Sequence, residues 1–277
     1  GRLDIVYDTY LEAVVRHEHL HEVRSDPDDV RGLEPTEFDI TTERLNFIRE
    51  LGRLKLYTYA RHAAYDFDDV QGASGIIDND LRDRDVIDYQ AKFAYEFIPN
   101  YEAFVQATLN HRRYDDTSMS NRDSDGFEAS TGTEINLTGK VKGSAFVGYM
   151  EQDYGDGFED IDSINFGGSL LWDITGMTTL YAAVEREALE TTFSSTSGYI
   201  RTSYGLTLEH ALMRNLFLDA TLKYLNDDFV AIPSVVERED DTYFASLGMD
   251  YLPLRGMRLR LGYDYATRDS NQNAQDY

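Results

Sequence analysis

The chain has 277 residues, and its 51 Asp and Glu outnumber its 26 Lys and Arg, which leaves a formal net charge of −25. So acidic a protein lacks the basic surface that phosphate backbones require, which excludes nucleic acid as a partner. The complete absence of cysteine excludes disulfides, thiolate metal sites and cysteine nucleophiles. No cofactor is expected. The 20 Tyr and 14 Phe argue for a folded chain and against disorder.

Apolar and polar residues alternate with a period of two, the pattern of β-strands, along most of the chain. The first strand places Leu11, Ala13 and Val15 on one face, and the same pattern is clear in 91–97, 101–109, 216–224 and 257–265. It recurs in about thirteen segments of roughly 9–12 residues, the length of tilted strands that cross a bilayer. We therefore predict an all-β chain.

The predicted connections between strands alternate between short and long. The short ones contain Gly, Pro and Asn, as tight turns require, and are 97–101, 137–143, 173–178, 210–215 and 253–257. The long ones, most of them rich in Asp, are 66–83, 115–126, 153–162, 190–198 and 227–241. This asymmetry is typical of outer-membrane barrels, which have short periplasmic turns and long extracellular loops.

The polar face of each predicted strand carries charges of both signs. A single sheet with an apolar outside and a charged inside predicts a transmembrane antiparallel up-and-down β-barrel, because closure leaves no unpaired edge in lipid. A soluble β-sandwich or β-solenoid with its apolar faces packed together is the alternative. The residues predicted to face the lumen are Arg53, Lys55, Arg61, Lys92, Glu96, Glu102, Arg112, Glu185, Asp219, Arg258 and Arg260.

Aromatic residues near predicted strand ends suggest the girdles that mark the lipid–water boundary of such barrels. These residues are Tyr65, Tyr114, Tyr149, Tyr154 and Trp172. Tyrosine is also common in strands of every kind, so the aromatics add to the barrel prediction without deciding it.

The stretch RHEHLHEV contains three histidines at alternate positions, His17, His19 and His21. Alternate strand residues lie about 6.6 Å apart on one face, so a pair of these imidazoles could bind zinc. A complete metal site needs further ligands and a second shell of hydrogen bonds. We expect the histidines to continue the lipid-facing series of the first strand and to lie on the outer wall near the upper interface, without a physiological metal.

The remaining histidines, His62, His111 and His210, fall on different predicted strands. No Ser/His/Asp arrangement can be assembled from their spacing, so we expect no enzyme, although a barrel-embedded hydrolase stays an alternative.

Several segments together resemble a family of outer-membrane β-barrel porins associated with exopolysaccharide biosynthesis and export in Gram-negative bacteria. They are, in chain order, DSDGFE, LTGK, VGYMEQDY, WDITGMTTLY, SGYIR, EHALMRN, VEREDD and RDSN. The resemblance implies an outer-membrane location and, less directly, polysaccharide passage. It also implies that residues 1–277 form one barrel domain that lacks about four strands before residue 1 and one closing strand after Tyr277, for roughly 18 in the complete protein.

We expect a pore that passes polysaccharide or small solutes, with a cation-preferring extracellular mouth. The acids expected at that mouth are Asp66, Asp68, Asp69, Asp78, Asp80, the six within 151–162, Asp227, Asp228, Glu237, Glu239, Asp240 and Asp241. A plugged structural or adhesive barrel that binds a partner through these acidic loops is the alternative. The expected partners are outer-membrane lipid and lipopolysaccharide, polysaccharide export machinery, and divalent cations at the loops.

Overall fold

Antiparallel strands make up nearly all of the computed structural model, which describes residues 1–24, 29–117, 121–137, 139–155, 157–191, 193, 196–232 and 236–272. The strands are β1 (Arg2–Val6), β2 (Thr9–His21), β3 (Glu37–Leu51), β4 (Leu54–Phe67), β5 (Val70–Gly72), β6 (Gly75–Ile77), β7 (Arg84–Ile98), β8 (Tyr101–Tyr114), β9 (Ser124–Leu137), β10 (Val141–Tyr154), β11 (Ile161–Thr175), β12 (Thr178–Leu189), β13 (Thr196–Met213), β14 (Leu216–Ala231), β15 (Arg238–Leu254) and β16 (Met257–Ser270). One 3-10 turn covers Asp80–Arg82. Within the described residues, no helix has the length and hydropathy needed to cross a membrane.

Fourteen of the strands form one sheet in which each strand pairs with its neighbours in the chain. Only β5 and β6 lie outside it, as a small hairpin in the connection between β4 and β7. The sheet is open, with β1 and β16 at its two edges. The up-and-down antiparallel order confirms the predicted topology, while the sheet holds fourteen strands in place of the predicted thirteen or so.

Turns of two residues join strands at one end of the sheet, at 7–8, 52–53, 99–100, 176–177, 214–215 and 255–256. Several contain a residue with positive φ, such as Gly52 at 63° and Gly256 at 84°, which is the conformation that two-residue hairpin turns require. The β9–β10 connection at this end has three residues, and the connections longer than three residues lie at the opposite end. The predicted alternation of short and long connections is therefore present in the structure.

The longer connections are shorter than the sequence predicted, because the strands extend into them. The clearest case is 227–241, which was expected to be an acidic loop. In the structure β14 runs to Ala231 and β15 begins at Arg238, so most of its acids lie within paired strands. Acid-rich strand ends resemble loops in sequence, because the sequence does not show that Arg201 pairs with Asp227 and Arg238 with Asp240.

Two of the longer connections pack against each other above β2–β7. The backbone N–H of Leu33 donates to the carbonyl oxygen of Gln71 in the β5–β6 hairpin at 2.7 Å. Gly32 lies against Val70, so close that a Cβ at position 32 would be 2.7 Å from a Val70 methyl carbon. Arg82 pairs with Glu22. The described residues of these connections, 22–24, 29–36 and 68–83, form a structured assembly that we call the cap.

Candidate functional site

The two faces of the sheet differ in chemistry. Residues paired across neighbouring strands share a face, and the row Leu56–Phe93–Val105 is apolar. Phe93 and Val105 are 55% and 57% exposed. Large apolar side chains with this much exposure over a whole sheet face need an apolar environment outside the protein, and lipid supplies it. The alternate residues, including Lys92 and Gln106, form the opposite, polar face.

The polar face is concave. Arg112 on β8 pairs with Glu190, which follows β12, although three strands lie between them in the sheet. On a flat sheet these strands would be about 19 Å apart, so the contact requires strong curvature toward the polar side. The curved face encloses a cavity of about 880 Å³ lined by residues from many strands of the sheet. We call this surface the inner face.

The strand register places almost every residue that was predicted to face the lumen on the inner face. These residues are Lys55, Arg61, Lys92, Glu96, Glu102, Arg112, Glu185, Asp219, Arg258 and Arg260. Arg53 is the exception: it lies in the two-residue turn before β4, where the alternation of faces ends.

Most charges of the inner face form ion pairs between strands. Lys55 pairs with Glu102 and Lys92 pairs with Glu134, in each case across one intervening strand. The guanidinium of Arg260 contacts Asp250 at 2.6 Å and Asp219 at 3.2 Å. The sequence predicted mixed charge on this face but not these pairs, because they join residues as far apart as 47 positions.

The connection after β12 turns inward and lies against the inner face; we call it the inner loop, and it is described at residues 190, 191 and 193. Glu190 accepts hydrogen bonds from the hydroxyls of Tyr114 at 2.6 Å and Tyr154 at 3.1 Å. Arg122 donates to the carbonyl oxygens of Thr191 and Phe193. Burial alone would raise the pKa of Glu190, but the charge of Arg112 and the Tyr114 hydrogen bond outweigh it and lower that pKa. The inner loop is therefore anchored to both β8 and β10.

Aromatic side chains form two bands on the outer face. Tyr204, Tyr224 and Tyr243 stack in a row on β13–β15, with ring centroids 5.8 and 5.1 Å apart, about ten residues above the short turns. Trp172 and Tyr251 lie on the outer face near the short turns. The separation of the bands matches the 9–11 residues of a strand that spans a bilayer.

The aromatic residues predicted to form girdles divide between the two faces. Tyr149 and Trp172 lie on the outer face, as expected. Tyr114 and Tyr154 are buried on the inner face, where they bind Glu190, and Tyr65 shares that face beneath the guanidinium of Arg84. The prediction was wrong for these three, because nearness to a strand end does not show which face a residue occupies.

His17, His19 and His21 lie on the outer face of β2, above its apolar residues. The Nδ1 of His19 lies 2.8 Å from Asp39 Oδ1, and the Nδ1 of His17 lies 3.1 Å from Thr41 Oγ1. His62 and His111 also pair with aspartates of the next strand. Among the described residues these histidines do not converge on one point, and the expectation that they hold no physiological metal stays a prediction.

A different group of side chains does converge. In the described part of the chain, the carboxylates of Asp69, Asp78 and Asp80 are the one set of potential ligands whose oxygen atoms lie within 4.8 Å of one another. The negative charges of Asp78 and Asp69 raise the pKa of Asp80 above its ordinary value. The cluster is exposed on the cap, at the end of the sheet that carries the longer connections.

Two acids of β14 and β15, Asp227 and Asp240, are neutralised within the wall of the sheet. Asp227 and Asp240 are fully buried and paired with each other in the strand register. The guanidinium of Arg201 bonds Asp227 through two nitrogens at 2.6 and 2.9 Å, and Arg238 bonds Asp240. These acids were predicted to be part of an open, acidic mouth, and that part of the prediction was wrong.

A curved antiparallel sheet with an apolar outer face, two aromatic bands and a charged inner face is the architecture of an outer-membrane β-barrel protein. Short turns at one end and longer connections at the other agree with this class. The chain belongs to the family described as "Putative beta-barrel porin 2", which matches residues 1–277. Porins are transport proteins, so the family points to transport rather than catalysis. The protein resides in the outer membrane.

Solved structures of outer-membrane proteins have a similar fold. The alcaligin outer membrane receptor FauA from Bordetella pertussis is 17% identical, with a TM-score of 0.52 over 98% of this chain and 52% of that one. The FrpB iron transporter from Neisseria meningitidis is 8% identical, with a TM-score of 0.58 over 95% and 49%. The copper transporter OprC is 10% identical, with a TM-score of 0.55 over 98% and 51%.

At such low identity these similarities concern the fold alone. The chain spans about half the length of these three proteins. No curated protein sequence is significantly similar to the chain.

Proposed function

We propose that the protein forms a pore through which small solutes or polysaccharide cross the outer membrane. The observation that supports this most is the inner face: a mainly polar surface of amides, hydroxyls and paired charges around a cavity of about 880 Å³. Buried ion pairs between strands are costly in a dry core, so such a surface suits a water-filled interior. Association with exopolysaccharide export is part of the proposal and rests on the family resemblance of the sequence motifs.

The proposal is tested by reconstituting the full-length protein in planar bilayers and recording single-channel currents. Neutral oligosaccharides added to one side should then interrupt the current if glycans enter the lumen. Stepwise conductance without interruption by glycans would restrict the proposal to small solutes. The absence of any conductance would contradict the pore.

We further propose that the extracellular mouth favours cations. The Asp69, Asp78 and Asp80 cluster on the cap supports this, whereas the neutralised Asp227 and Asp240 contribute little. Exposed carboxylates attract cations over about 8 Å at physiological salt, so the preference should fade as salt rises. Reversal potentials under a salt gradient measure it, and an anion preference at low salt would contradict it.

A plugged structural or adhesive barrel is the second candidate, and the cap favours it. The cap is held by backbone hydrogen bonds and the Arg82–Glu22 pair, and Ile76 on strand β6 of its hairpin is 72% exposed. An ordered cap with an exposed apolar side chain suits contact with a partner such as export machinery or lipopolysaccharide bridged by divalent cations. Normal polysaccharide export but lost partner binding in an Ile76→Asp variant would favour this candidate.

A further inference from the structure

Three glutamates on the inner face stand out because they have no cationic partner. Glu128 lies on β9, and Glu185 and Glu187 lie on β12. All three line the large cavity. Their charges act on one another, since both Glu185 and Glu128 repel the negative charge of Glu187. Among the residues that the structure describes, none of the three takes part in an ion pair.

The basic residues nearby are already engaged. Arg61 contacts Asp88 at 2.6 Å, and Arg112 pairs with Glu190. Arg201, which faces Glu187 in the strand register, directs its guanidinium to Asp227. Arg84 packs over the ring of Tyr65 with its carbon Cζ 4.5 Å from the centroid. Arg112 attracts the charges of Glu128 and Glu187 from a distance, but within the described residues none of the three glutamates has an ion pair of its own.

A neighbouring amide independently indicates a missing donor. Asn165 lines the same cavity and is only 4% exposed, yet its Oδ1 accepts no hydrogen bond within the described part of the chain. The Oδ1 of Asn110, on the same face, is also buried and also accepts no hydrogen bond from the described residues. A buried acceptor without a donor is destabilising, so a bound molecule that brings donors relieves that cost.

We propose that Glu128, Glu185, Glu187 and Asn165 form a lumenal binding site for hydrated divalent cations, an inference that rests on the proposed pore. The site offers three carboxylates and the amide oxygen of Asn165, and oxygen ligands are the chemistry that hard cations and their polarised waters prefer. The three carboxylates do not converge to the 4.8 Å at which one bare ion could be shared. The cation therefore keeps its water shell, and the water molecules donate hydrogen bonds to the carboxylates and the amide.

The test uses hexaamminecobalt(III), which imitates a hydrated cation but cannot exchange its ligands. Binding to the full-length protein in detergent is measured by calorimetry, beside Mg²⁺ and Ca²⁺. The variant Glu128→Gln/Glu185→Gln/Glu187→Gln keeps side-chain size and removes charge, and its affinity should fall at least about tenfold. The matched control, Asp69→Asn/Asp78→Asn/Asp80→Asn on the cap, should bind as the unmodified protein does. A shift in gel mobility on heating shows that each variant is folded. The single variant Glu185→Gln, at an exposed position, removes only one of the three charges and is therefore a smaller perturbation of the fold.

Equal binding by the glutamine variant and the unmodified protein would overturn the site. Loss of binding in the cap variant alone would overturn it as well. Binding of Ca²⁺ without binding of hexaamminecobalt(III) would also overturn it, because it would show that the protein coordinates the ion directly and not through its water shell. Bilayer recordings separate this proposal from the pore. Binding that the glutamine variant loses, without any conductance, would support the site and contradict the pore. Cation-selective conductance that the glutamine variant retains unchanged would support the pore and contradict the site.

Discussion

The same substitution at two adjacent residues of one strand should reduce the stability of the barrel by very different amounts. Val105 and Gln106 on β8 provide such a pair. Val105 is the fifth residue of a fourteen-residue strand, paired with Phe93 and Thr131 on the outer face. Its position is near the middle of the apolar band. Arginine at the midplane of a barrel's lipid face costs about 2–4 kcal/mol, which corresponds to a 30-fold or greater change in the folding equilibrium constant. Val105→Arg should lose stability by this amount.

Gln106→Arg introduces the same side chain one residue later, on the inner face, where it can remain hydrated. It should cost less than about 1 kcal/mol, because an exposed charge near Lys92 is screened by water and salt. The assay is urea unfolding of the full-length protein in phospholipid vesicles, followed by tryptophan and tyrosine fluorescence. Equal destabilisation by the two variants, or the reverse order, would refute the assignment of the two faces.

Three other perturbations test the packing and anchoring of the inner face. Gly132→Val should destabilise by about 1–3 kcal/mol in the same unfolding assay, because even a Cβ there would be 2.6 Å from the Phe104 ring. Asp227→Asn should cost about 3–5 kcal/mol by leaving the buried Arg201 charge uncompensated, and unchanged stability would contradict the pair. Because the pKa of Glu190 is lowered, its anchoring is complete above pH 4.5 and is lost as pH falls through the lowered value. Hydrogen exchange at the inner loop should rise in that acidic range, and a flat profile would contradict this.

Much of the architecture followed from the sequence because it depends on local chemistry. The alternation that separates Val105 from Gln106 reflects the two-residue period of a strand, and the turn at 255–256 is indicated by its own glycine. These signals need no knowledge of distant residues. They predicted the all-β topology, the two faces and the end at which the longer connections lie.

The site was less predictable because it depends on contacts between distant residues. Tyr114 was expected in an aromatic girdle at the lipid–water boundary, but it lies on the inner face and donates a hydrogen bond to Glu190, 76 positions later. Asp227 was expected in an open loop, but Arg201 neutralises it within a strand. Glu128 and Glu187 had no sequence signal beyond their inward positions. Only the fold shows which arginines are already engaged.

Unequal strand lengths give the sheet an uneven upper rim. β13 has 18 residues and β15 has 17, whereas β12 has 12. At about 3.3 Å per residue and the usual tilt, the wall at β13–β15 stands roughly 10 Å higher than at the inner loop. Buried arginine–aspartate pairs stiffen this taller section. A large particle such as an antibody or a bacteriophage would therefore contact the taller, rigid wall at β13–β15 first. Its access to the opening would be easier from the lower side, at the inner loop.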